Sequence, residues 1–138
     1  MTDYPMLTLN DGRQLPQIGF GTYQIDNDKA AEAVRTAVDV GYKMVDTAAV
    51  YQNEDGVGDG LTETPDIFLQ TKIWNASQGY DRTLKAAEKC LDRLGRDNVD
   101  MLLIHWPCPE KGLFVETWKA LIELRDQGKA KSIGVSNF

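Results

Sequence analysis

The chain has 138 residues, 42% of them hydrophobic and 26% charged, a balance that fits one compact soluble domain and excludes a disordered segment. A net charge of -6 excludes the clustered positive field that nucleic acid or an anionic membrane requires, so neither partner is expected. One histidine and two distant cysteines, Cys90 and Cys108, argue against a multi-imidazole metal centre, and no metal is expected.

The N-terminus carries no basic segment followed by an apolar run, and no stretch approaches membrane length. The expectation is therefore a cytoplasmic protein with two free thiols. In chain order, residues 6–18 predict a short hairpin, with alternation at Leu7-Thr8-Leu9, turn residues at Asn10-Asp11-Gly12, and Pro16 confining it to an edge or a lid. Residues 18–22 follow as a first short strand. A helix opens at Asp28, places Ala30, Val34, Ala37 and Val38 on one face, and ends at Gly41. Residues 43–46 form the next strand. Residues 53–61 predict a short helix with glycines at positions 56, 58 and 60, each weakening it by about 1 kcal/mol against Ala.

Residues 67–72 are the third strand. The helix over 80–94 aligns Ala87, Cys90, Leu91 and Leu94 and stops at Gly95. Residues 99–105 form a strand apolar enough to be covered on both faces. A helix over 113–127 offers Phe114, Trp118, Leu121 and Ile122 as its buried stripe, and residues 131–135 close the series as a fifth strand.

Strict alternation of strand and helix implies parallel strands. An open dinucleotide-binding sheet would need a glycine-rich loop between its first strand and helix, but Gly19-Phe-Gly21-Thr-Tyr-Gln lacks the third glycine. The Gly56, Gly58 and Gly60 triplet does not follow a strand. Polar residues at successive strand ends, Asp46, Lys72, His105 and Ser136-Asn137, instead suit a barrel, which delivers every strand end to one mouth. The predicted class is α/β, a partial TIM (β/α)8 barrel of about five strands and four helices plus an N-terminal hairpin. Residues 1–138 would be one incomplete domain, because a closed barrel needs three further strands.

The strand-end residues compose a proton-delivery set. Tyr51 lies five residues after Asp46, close enough to return to the same mouth. A phenol is a poor acid near neutrality unless a cation stands beside it, and Lys72 can supply that charge. Asp46 can keep Lys72 protonated, and His105 can donate a hydrogen bond to a developing oxyanion. No side chain can furnish the hydride that the carbon would require, so a reduced nicotinamide is implied. Each residue also has a plainer role: Asp46 as a turn or cap residue, Tyr51 at a rim, His105 in a core. Lys72 fits a plain role least, since it ends an apolar strand.

The sequence resembles the aldo-keto reductase family along nearly its whole length. The segments that carry the likeness are Asp46-Thr-Ala-Ala-Val-Tyr51-Gln-Asn-Glu54, Phe68-Leu-Gln-Thr-Lys72-Ile-Trp74-Asn75, Val99-Asp-Met-Leu-Leu-Ile-His105-Trp106-Pro107 and Gly128 through Ser136-Asn137-Phe138. It is most similar to the bacterial branch of diketogluconate reductases and related aldehyde or ketone reductases. The resemblance implies a TIM barrel and NADPH as donor, with Tyr51 as general acid supported by Asp46, Lys72 and His105. It further implies that Gly21, Thr22, Tyr23 and Asp46 approach the nicotinamide ribose, that Ser136 and Asn137 hold the carboxamide, and that Trp74 and Trp106 line a cleft for a small carbonyl substrate.

Against the family pattern, the connection from Gly58 to Ile67 is short and the part after the fifth strand, which grips the cofactor phosphates, is missing. The expectation is a truncated reductase whose open strand edges favour self-association. The alternative is a non-catalytic barrel fragment that binds a partner or has no independent activity.

Overall fold

The computed structural model describes residues 3–138. An antiparallel hairpin of β1 (Met6–Thr8) and β2 (Gln14–Pro16) precedes five parallel strands. These are β3 (Phe20–Gly21), β4 (Met44–Asp46), β5 (Phe68–Ile73), β6 (Val99–Ile104) and β7 (Ala130–Val135). Helices α1 (Asn27–Asp39), α2 (Glu54–Gly60), α3 (Tyr80–Leu94) and α4 (Phe114–Asp126) connect them. The spatial strand order follows the chain order from β3 to β7. Sequential order without reversal is that of a barrel sector, whereas a doubly wound sheet reverses at its switch point.

The two sheet faces are packed differently. Val45, Leu69, Ile73, Leu102 and Ile104 point toward the helices and join Val34, Val57, Leu91, Leu94 and Leu121 in the main core. The opposite face begins with Met44, Phe68 and Met101, against which the hairpin residues Leu9 and Leu15 pack. The hairpin turn is tied down as well: the Ser132 hydroxyl donates to Asp11 at 2.5 Å, and Arg13 pairs with Asp100 at 3.2 Å. The hairpin thus closes the lower end of the inner face.

Two helices differ from the sequence reading for identifiable reasons. On α4 the fully buried residues are Thr117, Ala120, Leu121 and Leu124, so the buried face is rotated from Phe114, Trp118, Leu121 and Ile122. Small side chains sit where the helix approaches its neighbours, and the aromatics lie at the margin, with the Phe114 ring edge-on to Phe138 at 5.7 Å. The α2 glycines are clearances. A Cβ on Gly56 would lie 2.4 Å from the Asn27 carbonyl oxygen, and one on Gly58 would lie 2.4 Å from that of Leu94. Their low helix propensity accompanies close packing of α2 between α1 and α3.

Candidate active site

Asp46, Gln70 and Lys72 share the inner face, because residues two apart on a strand point the same way. Asp46 ends β4, with Gln70 as its register partner on β5. The Lys72 ammonium donates to Asp46 Oδ1 at 2.6 Å and to the Thr47 carbonyl at 2.9 Å, and it lies 3.5 Å from the Tyr51 hydroxyl. Its side chain is only 8% exposed, so these oxygens replace the water that a buried ammonium loses. Gln70 Nε2 donates to the same Asp46 oxygen at 2.7 Å, which fixes the carboxylate from a second side.

Tyr51 ends a single 3-10 turn (Ala49–Tyr51), and Gln52 beyond it is left-handed at φ 58°. The Tyr51 ring stands against Tyr23 at 5.3 Å and against His105 at 5.8 Å, the latter edge-on. Lys72 Nζ is 5.1 Å from its centroid.

His105 follows β6 directly, and its backbone N–H donates to the Ile73 carbonyl at 3.1 Å. Its ring is bracketed by Trp74 at 5.3 Å and by Trp106 at 6.4 Å in a near-parallel stack. His105 Nδ1 is buried without a hydrogen-bond partner. Burial pushes the imidazole below its ordinary value of 6.5, the Lys72 charge pushes the same way, and Asp46 opposes them. The ring is therefore neutral at pH 7, with one N–H to donate and one nitrogen to accept.

The remaining predicted residues surround this cluster unequally. Gly21 pairs with Asp46 across β3 and β4, and a Cβ there would meet nothing within 4 Å. Tyr23 is 67% exposed. Thr22, between them, is fully buried, with its N–H donating to the Asp46 carbonyl at 3.0 Å and its own carbonyl accepting from Ile25 and Asn53. Its side chain and backbone are bonded inside the protein, where it holds the rim between Gly21 and Tyr23. The Ser136 N–H donates to Ile104, and Asn137 Nδ2 donates to the His105 carbonyl at 2.9 Å and to Ser136 Oγ at 3.0 Å. Trp106 is 44% exposed and Trp74 half-buried.

Sequence reasoning overlooked a shell of polar residues beneath the rim, the half-buried Gln70 and the buried Asn53 and Glu54. Gln70 was recoverable from strand period, standing two residues before Lys72. Asn53 and Glu54 were not, because hydropathy places such residues outside. Glu54 is fully buried, accepts from Arg93 at 2.9 and 2.7 Å through one oxygen, and accepts from the Thr71 hydroxyl at 2.6 Å through the other. Burial, then the Glu54 charge, pushes the neighbouring Cys90 thiol up to about 12, so it stays protonated and unreactive. Among the described residues no group of three His, Cys, Asp or Glu could hold a metal, and no helix is long and apolar enough to cross a membrane.

Residues 17–138 match the Aldo/keto reductase family. The chain is 49% identical over 138 residues to an aldo-keto reductase of Mycolicibacterium smegmatis, covering 97% of this chain and 50% of that protein. It is 44% identical over 135 residues to glyoxal reductase of Bacillus subtilis, covering 94% of this chain and 48% of the relative. A crystal structure of a Gox0644 variant in complex with NADPH superposes with a TM-score of 0.96 at 51% identity, covering 99% of this chain and 51% of the other. The chain spans about half the length of the relatives it matches.

Proposed function

Because this chain belongs to the aldo-keto reductase family, we propose that it carries the proton-delivering part of an oxidoreductase that reduces a small aldehyde or ketone to an alcohol with NADPH. The observation that carries this reading is the convergence of the Tyr51 hydroxyl, the Lys72 ammonium and Asp46 within hydrogen-bonding reach. Tyr51 gives its proton to the carbonyl oxygen as negative charge develops there. The Lys72 cation beside the phenol stabilises the phenolate left behind, and Asp46 keeps that cation charged and in place. His105 presents its neutral N–H to the same oxygen and orients it.

The residues present fit a nicotinamide at this rim. The edge beside Asp46 is sterically open at Gly21, and the Ser136 hydroxyl and Asn137 amide stand next to His105. When bound, NADPH supplies the two electrons and the hydrogen that go to the carbonyl carbon. Gly21, Tyr23, Asp46, Ser136 and Asn137 would hold its nicotinamide and ribose end, while Thr22 sets the backbone between them. Trp74 and Trp106 flank the carbonyl compound and exclude water from one side of it.

Tryptophan fluorescence tests the reading directly, since two of the three tryptophans stand beside His105. Saturable quenching on titration with NADPH is the expected result. No quenching at millimolar cofactor would refute catalysis by this chain and favour the reading of a non-catalytic fragment. Self-association belongs to the same proposal: β3 and β7 each have one sheet neighbour, Val135 and Phe138 are exposed at the β7 side, and a second copy can pair there. A single monomeric boundary in sedimentation at every concentration would reject that part.

A further inference from the structure

Asn53 is completely buried just before α2, and all four hydrogen-bonding sites of its amide face protein partners. Nδ2 donates to the carbonyls of Thr22 at 2.8 Å and Ile25 at 3.0 Å. Oδ1 accepts from the Thr47 hydroxyl at 3.0 Å and lies 3.4 Å from that of Thr22. The Thr22 hydroxyl donates to Thr47 Oγ1 at 2.9 Å, so a directed chain runs from Thr22 through Thr47 to Asn53.

Each anchored segment touches Tyr51 or its cation. The Thr47 carbonyl accepts from the Lys72 ammonium. The 22–25 segment carries Tyr23, whose ring lies 5.3 Å from that of Tyr51. Asn53 itself is two residues beyond Tyr51, across the left-handed Gln52. One amide therefore ties down the chain before, beside and after the phenol. We propose that Asn53 is a positioning residue for Tyr51: it sets the phenol against Lys72 through the Thr47 backbone and the Tyr23 ring.

This inference rests on the reading of Tyr51 as proton donor, and two independent readouts separate the claims. Asn53→Asp keeps the side-chain shape but turns two donations into repulsion between oxygens at the Thr22 and Ile25 carbonyls. In the 138-residue chain with labelled tyrosine rings, the NMR cross-peak between Tyr23 and Tyr51 should vanish while amide protection across β5 and β6 persists. Displacing a reacting group by about 1 Å lowers turnover by about 100-fold, and kcat for NADPH-dependent carbonyl reduction should fall by that factor with KM little changed.

A residue that only stabilised the fold would lower the folded fraction and leave both readouts of the folded molecules intact. Either readout unmoved in folded Asn53→Asp overturns the inference. Should that variant fail to fold, Thr47→Val, which breaks one link of the chain, is judged by the same two readouts. Tyr51→Phe that keeps full activity would remove the proton-donor reading alone, because the ring cross-peak would still report whether Asn53 places Tyr51.

Discussion

The two ends of the inner sheet face are built from the same strands and serve opposite purposes. At the lower end Met44, Phe68 and Met101 are buried beneath the hairpin. Two or four residues further along, the same rows deliver Asp46, Lys72 and His105 to the rim. The lower end gains stability from burial of apolar area, which is indifferent to direction. The rim gains less from that source, and its ammonium and unpartnered imidazole nitrogen are costly to bury. A strand thus carries a stabilising foot and a polar head that is costly to bury, and the foot lets the head be held out of water.

Substitutions at the two ends should separate along these lines. The largest effect is expected at the rim, where Tyr51→Phe removes the proposed proton donor and, on that proposal, lowers carbonyl reduction by about 1000-fold. The hydroxyl lies a long 3.5 Å from its cation, so the urea midpoint should stay close to that of the parent chain. A large shift in that midpoint would mean that rim and foot are coupled. At the foot, Phe68→Ala should destabilise by about 3 to 5 kcal/mol in urea denaturation, with the rim unchanged in the molecules that remain folded. Collapse of NADPH quenching in proportion to unfolding, and no further, is the matching expectation.

A smaller effect is expected between the ends, at the packing of α2. Gly58→Ala would ordinarily strengthen a helix by about 1 kcal/mol. Here the added carbon would lie 2.4 Å from the Leu94 carbonyl oxygen, and backbone cannot yield as a flexible side chain does. Net destabilisation of about 1 to 3 kcal/mol is expected, and a rise in thermal midpoint would show that α2 and α3 separate easily.

Glycine behaviour of this kind marks where sequence reasoning stops. The alternation of elements, the α3 stripe of Ala87, Cys90, Leu91 and Leu94, and the polar strand ends were readable, because periodicity reports which side faces the core. The α4 face was misread because periodicity ranks large residues first. Thr117 is buried there by two bonds, accepting from the N–H of Gly79, 38 positions away, and donating to the Leu113 carbonyl one turn back. Asn53 and Glu54 escaped for a related reason: a buried polar residue is identified by its partners, and apart from Thr47 those lie 17 to 39 positions away along the chain. The rim could be assembled from sequence because Asp46, Lys72 and His105 fall at or beside strand ends and Tyr51 follows Asp46 by five residues. Its supporting shell could not, since no period announces it.

The smallest expected effect is a pH dependence that only the rim can produce. His105 is the sole histidine, so any imidazole titration belongs to it. In the folded chain burial, reinforced by Lys72, holds it below 6.5, so between the two values the unfolded state binds more protons. Stability should therefore be flat above about pH 7.5 and fall as the pH drops through 6.5, with a slope of at most about 1.4 kcal/mol per pH unit. His105→Gln removes the titrating group, so from neutrality downward the urea midpoint of the parent should fall more steeply than that of the variant. Parallel curves would mean that the imidazole is as easily protonated in the folded chain as in the unfolded one. A cationic ring would then stand beside Lys72, and the lone N–H donor assigned to His105 would no longer describe the rim.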